Sequence, residues 1–199
     1  MHIISKTPLI FKSEENIDEI KSNLNPLIVK SWIQEKPYLQ YKNGKNIELN
    51  YDNPLIKENS LKLYDLFLNR VSSIFKKYTI NETNSNKVFS YISDKNYSES
   101  NWHNHIQTAS INGVFYLKCV EDRGIYFREN GNQIYIQPKE NELYIFAGNL
   151  DHFPMPSTND NIRISCNVEL KCNESIKELF DLKNIREKIC LVSLIRKAP

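Results

Sequence analysis

Residues 110–119 read Ser-Ile-Asn-Gly-Val-Phe-Tyr-Leu-Lys-Cys, a short run that is rich in aromatic and β-branched side chains. Such a composition is typical of a β-strand. From residue 87 onward the apolar residues recur with a period of two, and turn-forming residues such as Asn130-Gly131-Asn132 separate the runs. The pattern predicts a hairpin at Gly131 and a series of short strands. The predicted strands are 87–92, 110–119, 124–128, 133–137, 142–147 and 162–170.

Helices are predicted on both sides of this strand-rich region. Apolar residues spaced by three and four positions predict a helix over residues 59–78, capped at Asn59 or Ser60. A last helix is predicted over roughly residues 174–188. Short strands with helices at the ends of the chain predict a mainly β fold with supporting helices. A double-stranded β-helix (jelly roll, cupin-like barrel) is the natural candidate, although the pattern alone does not separate it from other antiparallel sandwiches.

Length and composition favour a single domain. The chain has 199 residues, of which 40 % are hydrophobic and 25 % are charged, and it contains no internal repeat or low-complexity linker. We expect one domain, 1–199. It divides into an N-terminal strand and helical support region (1–86), a jelly-roll metal core (87–171) and a C-terminal helix and tail (172–199).

Charge and cysteine usage argue against several function classes. The net charge is +2 and the pI about 8.2, so no strong field favours nucleic acid or an anionic membrane as a partner. No basic stretch followed by an apolar one opens the chain, and no apolar run approaches the ~20 residues that cross a bilayer. The four cysteines form no CxxC pair. We therefore expect a cytoplasmic, reduced protein.

Three histidines form a pattern that suits a metal ion. His103 and His105 flank Asn104, and alternate residues of an extended strand project to the same face. His152 follows later in the chain. Three imidazoles suit iron, zinc, copper or nickel, and ligand softness alone does not choose among these metals. Unrelated surface or core histidines also produce such spacing by chance, so the metal site is a hypothesis.

A candidate anion site follows the histidines. Within Ile162-Arg163-Ile164-Ser165, the residues Arg163 and Ser165 face one side of the predicted strand and the isoleucines face the other. A guanidinium binds a carboxylate through two parallel hydrogen bonds, and a serine hydroxyl can add a third. If this polar face lies inside the barrel, Arg163 needs a partner. The alternative is an Arg163 that points outward into solvent.

These motifs resemble the core of the Fe(II)/2-oxoglutarate-dependent oxygenase superfamily. More narrowly, the chain is similar to a group of oxygenases of comparable length from bacteria and marine phages. The resemblance covers most of residues 1–170, but its specific motifs lie in the second half of that range. It is carried by His103-Asn104-His105, by residues 110–117 and 138–146, by His152, by residues 163–167 and, more weakly, by residues 7–11.

The resemblance implies roles for individual residues. His103 and His152 would bind Fe(II), and Arg163 would pair with the distal carboxylate of the co-substrate 2-oxoglutarate, assisted by Ser165. Tyr116 occupies a position at which related hydroxylases offer a phenol to that carboxylate. The implied activity is that of a 2-oxoglutarate-dependent dioxygenase that hydroxylates a C–H bond of an unidentified small-molecule or peptide substrate.

One residue departs from the superfamily pattern. The superfamily usually has a carboxylate two residues after the first histidine, and this chain has His105. His105 is then the third ligand, or it turns aside and leaves an open position as in members that bind halide, or the metal is not catalytic iron. We favour the first reading, because imidazole is a competent ligand and its position suits the geometry.

Two other functions remain open from the sequence. One is a cupin-like three-histidine dioxygenase or isomerase that does not use 2-oxoglutarate, although residues 106–109 lack the acid usual in that class. The other is a non-catalytic jelly-roll module that binds a ligand or protein. No motif identifies a substrate; Trp32, Tyr97 and Trp102 are the candidate pocket aromatics.

Overall fold

The computed structural model describes residues 1–6, 8–35, 45–47, 52–81, 87–95, 101–121, 123–156, 158, 160–186 and 190–191. The strands within these ranges are β1 (His2–Lys6), β2 (Leu9–Glu14), β3 (Lys45–Ile47), β4 (Lys87–Ser93), β5 (Ile111–Lys118), β6 (Ile125–Glu129), β7 (Asn132–Ile136), β8 (Glu142–Ala147), β9 (Asp151–Pro154), β10 (Arg163–Leu170) and β11 (Cys190–Leu191). The helices are α1 (Asp18–Glu35), α2 (Pro54–Ile74) and α3 (Ile176–Leu179), and a 3-10 turn spans Leu182–Asn184.

The strands form two sheets that pack on each other. The larger sheet has the order β11-β1-β2-β8-β5-β10-β4-β3 and the smaller sheet has the order β7-β6-β9. All strand pairs are antiparallel except β1 with β11. Phe127 of the smaller sheet meets Phe146 of the larger sheet edge to face, with ring centroids 4.9 Å apart. The predicted mainly β fold with supporting helices, a double-stranded β-helix, is confirmed.

The central strands of the larger sheet are buried on both faces. Seven consecutive residues of β5 and all six residues of β8 are buried. Val114 and Tyr116 belong to the cluster between the two sheets, whereas Phe115 belongs to the cluster beneath the helices. Burial on both faces explains the uninterrupted apolar run of residues 114–117, because neither side of this part of the strand faces water.

Helix α2 packs directly on the backbone of β5. Its buried residues recur at three- and four-residue spacing and include Leu63, Phe67 and Val71. A Cβ atom on Gly113 would lie 2.5 Å from Cδ2 of Phe67, which is closer than two carbon atoms can approach. The glycine therefore lets the Phe67 ring rest against the strand.

The helical region of the N-terminal half differs from the sequence prediction. Helix α2 begins at Pro54, where the Asn53 side chain accepts hydrogen bonds from the backbone of Leu55 and Ile56. The predicted cap at Asn59 or Ser60 is wrong, because both residues are buried within the helix. Proline at the first turn and asparagine before it are the stronger start signal.

Helix α1 was not predicted. Residues 1–58 read as short apolar pieces broken by prolines, yet α1 runs through Pro26. Its residues Ile20, Leu24, Ile28 and Trp32 lie four positions apart and are all buried. That stripe against the core compensates for the hydrogen bond that Pro26 cannot donate.

The predicted last helix is wrong in its extent. Helix α3 covers only Ile176–Leu179, with a capping box between Ser175 and Glu178. Asp181 then accepts a hydrogen bond from the backbone of Lys183 at 2.8 Å and starts a 3-10 turn instead. Short polar side chains compete in this way with a continuing helix. Residues 187–188 lie outside the described ranges.

The weakly resembling segment 7–11 overlaps β2, which begins at Leu9 and pairs with β8 in the larger sheet, while Thr7 lies outside the described residues. Among the described residues, no helix is long and apolar enough to cross a membrane.

Candidate metal centre

Backbone pairing brings two of the three histidines face to face. His103 donates its N–H to the carbonyl of His152 at 3.1 Å, and His152 donates to the carbonyl of His103 at 2.9 Å. The two residues therefore form a hydrogen-bonded antiparallel pair. His105 donates its N–H to the carbonyl of Gly148 at 2.7 Å, which holds the same segment against the turn between β8 and β9.

The three imidazoles converge. One ring nitrogen from each of His103, His105 and His152 lies within 4.8 Å of the others. Two nitrogens bound to one ion at about 2.1 Å each are at most about 4.2 Å apart. Small side-chain movements are therefore sufficient for all three histidines to bind a single ion.

Each histidine holds its Nδ1 atom close to an oxygen that can only accept a hydrogen bond. Nδ1 therefore carries the proton, which leaves the lone pair on Nε2 for a metal ion. The partners are Asn101 O at 3.2 Å for His103, Leu150 O at 3.0 Å for His152 and Glu169 Oε1 at 3.0 Å for His105.

His152 is the buried member of the set, and it is only 5 % exposed. Burial, reinforced by the neighbouring His103 and His105, lowers the pKa of His152 well below its ordinary value. The ring is therefore neutral at physiological pH, which is the form that binds a metal.

Asn104 points away from the metal cluster, as its position between the two histidines predicts. Its side-chain amide donates to Asp151 Oδ1 at 2.8 Å. Arg128 donates to the other carboxylate oxygen of Asp151 at 3.1 Å, and its guanidinium lies 4.3 Å from the ring centre of Trp102. Hydrogen bonding from Asn104, with a smaller contribution from Arg128, lowers the pKa of Asp151. This network ties the segment of His103 and His105 to the strand of His152.

The histidines open into a cavity of about 140 Å³. The cavity also holds the residues predicted to bind an anion, so the structure brings all six predicted site residues together. They are His103, His105, His152, Tyr116, Arg163 and Ser165.

Arg163 faces the interior of the barrel. It is 4 % exposed, and its Nη1 atom makes one long contact of 3.5 Å with the carbonyl of Gly124. Its Nη2 atom is buried and has no hydrogen-bond partner among the described residues. A buried guanidinium nitrogen in this state requires an acceptor. A carboxylate in the cavity would provide one.

Tyr116 and Ser165 lie opposite each other on neighbouring strands, β5 and β10. Burial raises the pKa of the Tyr116 phenol above its ordinary value, and the nearby charge of Arg163 only partly opposes this shift. The phenol is therefore protonated at physiological pH and can donate a hydrogen bond into the cavity.

Glu169 and Asn112 are buried polar residues of the cavity that the sequence patterns did not predict. Glu169 follows Arg163 and Ser165 on the same face of β10 and is 6 % exposed. Asn112 lies opposite it on β5, and neither polar atom of its side chain has a partner among the described residues. The alternation of side chains along the strand from Arg163 to Glu169 places Glu169 on the face of the cavity and could have predicted it as a cavity residue. Nothing in the sequence, however, pairs it with His105.

The two described candidate pocket aromatics, Trp32 and Trp102, do not line the cavity. Trp32 of α1 is buried in the core cluster, and Trp102 lies beside Phe153 with ring centroids 5.8 Å apart and the rings tilted. Tyr97 lies outside the described residues. The aromatic rings that line the cavity include Phe89, Tyr91 and Phe146.

No protein-family model matches the sequence, and neither does any protein of curated function. The structure, in contrast, resembles a prolyl hydroxylase from Trichoplax adhaerens in complex with a peptide fragment of the hypoxia inducible factor oxygen degradation domain. That alignment has a TM-score of 0.62 and 10 % identity, and covers 83 % of this chain and 84 % of the other. Two further structures align over most of both chains.

The first is a non-heme alpha ketoglutarate dependent carbocyclase, SnoK, from nogalamycin biosynthesis, with a TM-score of 0.58 and 7 % identity over 81 % of this chain and 79 % of the other. The second is a prolyl-4-hydroxylase from Pseudomonas putida, with a TM-score of 0.56 and 11 % identity over 81 % and 92 %. Likeness at such low identity shows that this chain shares their fold.

Proposed function

We propose that this chain is a non-haem oxygenase that depends on Fe(II) and 2-oxoglutarate and hydroxylates a C–H bond of a small-molecule or peptide substrate. One observation carries the proposal: a single cavity contains three convergent histidines and a buried guanidinium nitrogen without a partner among the described residues. A redox metal that acts with an anionic co-substrate requires both features.

The donor set fits the two groups. Three imidazole nitrogens suit Fe(II), and the tautomers set by their Nδ1 partners make Nε2 the binding atom. The Arg163 guanidinium offers two parallel hydrogen bonds to the distal carboxylate of 2-oxoglutarate. Ser165 and the protonated phenol of Tyr116 lie on the same cavity wall and supply further donors.

Iron and 2-oxoglutarate, when bound together, would react with dioxygen, of which one oxygen atom enters the succinate that is formed with carbon dioxide and the other hydroxylates a C–H bond of the substrate. The protein binds, orients and shields these groups. Val114, Ile125 and Phe146 give the cavity apolar walls, which limit the access of water to the metal. The fold comparison supports the proposal, because SnoK is described as alpha ketoglutarate dependent and the other two relatives are prolyl hydroxylases.

A three-histidine dioxygenase that does not use 2-oxoglutarate is the second candidate, and the all-histidine metal cluster favours it. That function gives Arg163 no anion to bind, and it leaves the buried guanidinium without a role. Dependence on 2-oxoglutarate therefore distinguishes the two candidates.

The test is an anaerobic titration of the apo-protein with Fe(II) and then with 2-oxoglutarate, followed by visible absorption. We expect the weak charge-transfer band of a chelated keto acid. Arg163→Ala should abolish this band at matched 2-oxoglutarate concentration and leave iron binding intact. Arg186→Ala removes an exposed arginine remote from the cavity and should leave the band unchanged. An iron-loaded wild-type protein that gives no band would contradict the proposal.

A further inference from the structure

Glu169 is a buried carboxylate in direct contact with a candidate metal ligand. Its Oε1 atom lies 3.0 Å from Nδ1 of His105, and the Glu169 side chain is 8 % exposed. A carboxylate is costly to bury in a barrel unless a donor meets it, and the Nδ1–H of His105 is such a donor. The pair therefore has the geometry of a carboxylate that orients an imidazole.

The three histidines are not held in the same way. His103 and His152 present Nδ1 to backbone carbonyls, which are neutral acceptors. His105 alone among them presents Nδ1 to a carboxylate. His105 also stands at the position where the resembling superfamily has an acid. The negative charge absent from the ligand itself thus lies one hydrogen bond behind it.

Glu169 lies behind His105 rather than among the ligands. The metal-binding group within 4.8 Å, among the described residues, consists of the three histidines. Glu169 contacts Nδ1, whereas a metal ion would take the lone pair of Nε2. A charged acceptor fixes the ring orientation and makes the imidazole a stronger donor to the metal.

We propose that Glu169 is a positioning residue that locks His105 as the third metal ligand and supplies, through its ring, the negative charge that an acidic ligand would otherwise provide. The inference rests on the proposed function only in that the histidines bind a divalent metal. It does not require 2-oxoglutarate to bind.

A double-mutant cycle with Co(II) tests this coupling, because Co(II) reports binding and ligand geometry through its visible spectrum. Glu169→Gln keeps a hydrogen-bond acceptor of similar size but removes the charge. We expect it to weaken Co(II) binding by about 10- to 100-fold in the wild-type background. In the His105→Ala background the same change should have almost no effect, because the ring that transmits it is absent.

Glu142→Gln is the matched control. Glu142 is another buried strand carboxylate, which accepts a hydrogen bond from Tyr144 at 2.6 Å and does not line the cavity. Its substitution should leave the Co(II) affinity unchanged. If His105→Ala binds Co(II) too weakly to titrate, the Co(II) spectra of Glu169→Gln and wild type decide, and identical spectra would overturn the proposal.

The reduction potential of the bound iron separates the effect of the Glu169 charge from the effect of its side-chain shape. The Fe(III)/Fe(II) reduction potential should be more positive in Glu169→Gln, since a carboxylate near the site stabilises the more highly charged ion. A loss of affinity of equal size with and without His105 would show that Glu169 acts independently of it, for example as a direct ligand. That result, or an unchanged affinity and potential, would overturn the proposal.

These outcomes are separable from those of the 2-oxoglutarate titration. Coupling between Glu169 and His105 in the absence of a charge-transfer band would overturn the co-substrate proposal alone. A normal charge-transfer band with no coupling would overturn the Glu169 proposal alone.

Discussion

Asp151 connects the two segments that carry the histidines. One oxygen of its carboxylate accepts a hydrogen bond from Asn104 at 2.8 Å, and the other oxygen accepts one from Arg128 at 3.1 Å. We expect Asp151→Ala to weaken Co(II) binding about 10-fold, because outer contacts fix the orientation of metal ligands. The free energy of unfolding should change by only about 1 kcal/mol, since the carboxylate is partly solvent-exposed.

Isothermal Co(II) titration and urea unfolding measure the two effects of Asp151→Ala. Asp160→Ala is the control, because it removes an exposed aspartate that pairs with Lys95 at the surface and should alter neither value. Wild-type metal affinity in Asp151→Ala would mean that the network is not needed for the geometry of the site.

At the level of single residues, the alternation of side chains along strands predicted most of the candidate site residues. The two-residue period places Arg163 and Ser165 on one face, and the structure has both in the cavity with His103, His105 and His152. Glu169 was missed because its partner lies 64 positions away in sequence, and only the pairing of strands reveals that contact. Their roles toward iron and 2-oxoglutarate stay predictions.

The contact between α2 and β5 leaves no space for a methyl group at Gly113. A Cβ atom at Gly113 would lie 2.5 Å from the Phe67 ring, and Phe67 is fully buried. We expect Gly113→Ala to lower the free energy of unfolding by about 1–3 kcal/mol through overpacking. Guanidinium unfolding measures the loss. The second substitution Phe67→Leu should recover part of it, and full additivity of the two losses would contradict the proposed steric cause.

The start of α2 depends on Asn53. Its side chain accepts from the backbone of Leu55 at 3.0 Å, so Asn53→Ala should cost about 1 kcal/mol in thermal or urea unfolding. Asn69→Ala, at an exposed interior position of the same helix, should be neutral or slightly stabilising. Equal effects at the two positions would show that capping is not the cause.

Helices were harder to predict than strands, for reasons visible in particular elements. Helix α1 has its apolar stripe at Ile20, Leu24, Ile28 and Trp32, but Pro26 interrupts the local pattern and only tertiary burial offsets it. After α3, the Asp181 carboxylate accepts a hydrogen bond from the backbone of Lys183, which starts a 3-10 turn and ends the helix. In both cases a local signal was outweighed by packing or by a single side-chain hydrogen bond.

At the scale of the whole molecule, a bound metal should stabilise the fold, because it joins the segment of His103 and His105 to β9. Zn(II) at about 100 times its Kd contributes about 2.7 kcal/mol, or about 5–10 °C in Tm for a chain of this size. We expect this shift in scanning calorimetry and its loss in His152→Ala. His2→Ala, outside the metal cluster, should retain it. A Tm that does not respond to metal would contradict binding at this site.

The arrangement of the whole chain was predicted more securely than its parts. Short strands with a period of two implied an antiparallel fold, and the two packed sheets agree with it. The sequence did not reveal that β1 and β2 extend the larger sheet through β8, since such pairings depend on contacts distant along the chain. The division into regions 1–86, 87–171 and 172–199 stays a prediction, as does the cytoplasmic location.

The backbone pairing of His103 with His152 makes the proposed metal site dependent on correct folding. Two peptide hydrogen bonds set the separation of these candidate ligands, so the proposed site forms only in molecules whose distant segments have paired in the correct register. A misfolded chain retains every histidine and lacks that site. If the three histidines bind a metal as proposed, the number of ions bound per polypeptide would report the fraction of correctly assembled molecules in a preparation, even before a substrate is known.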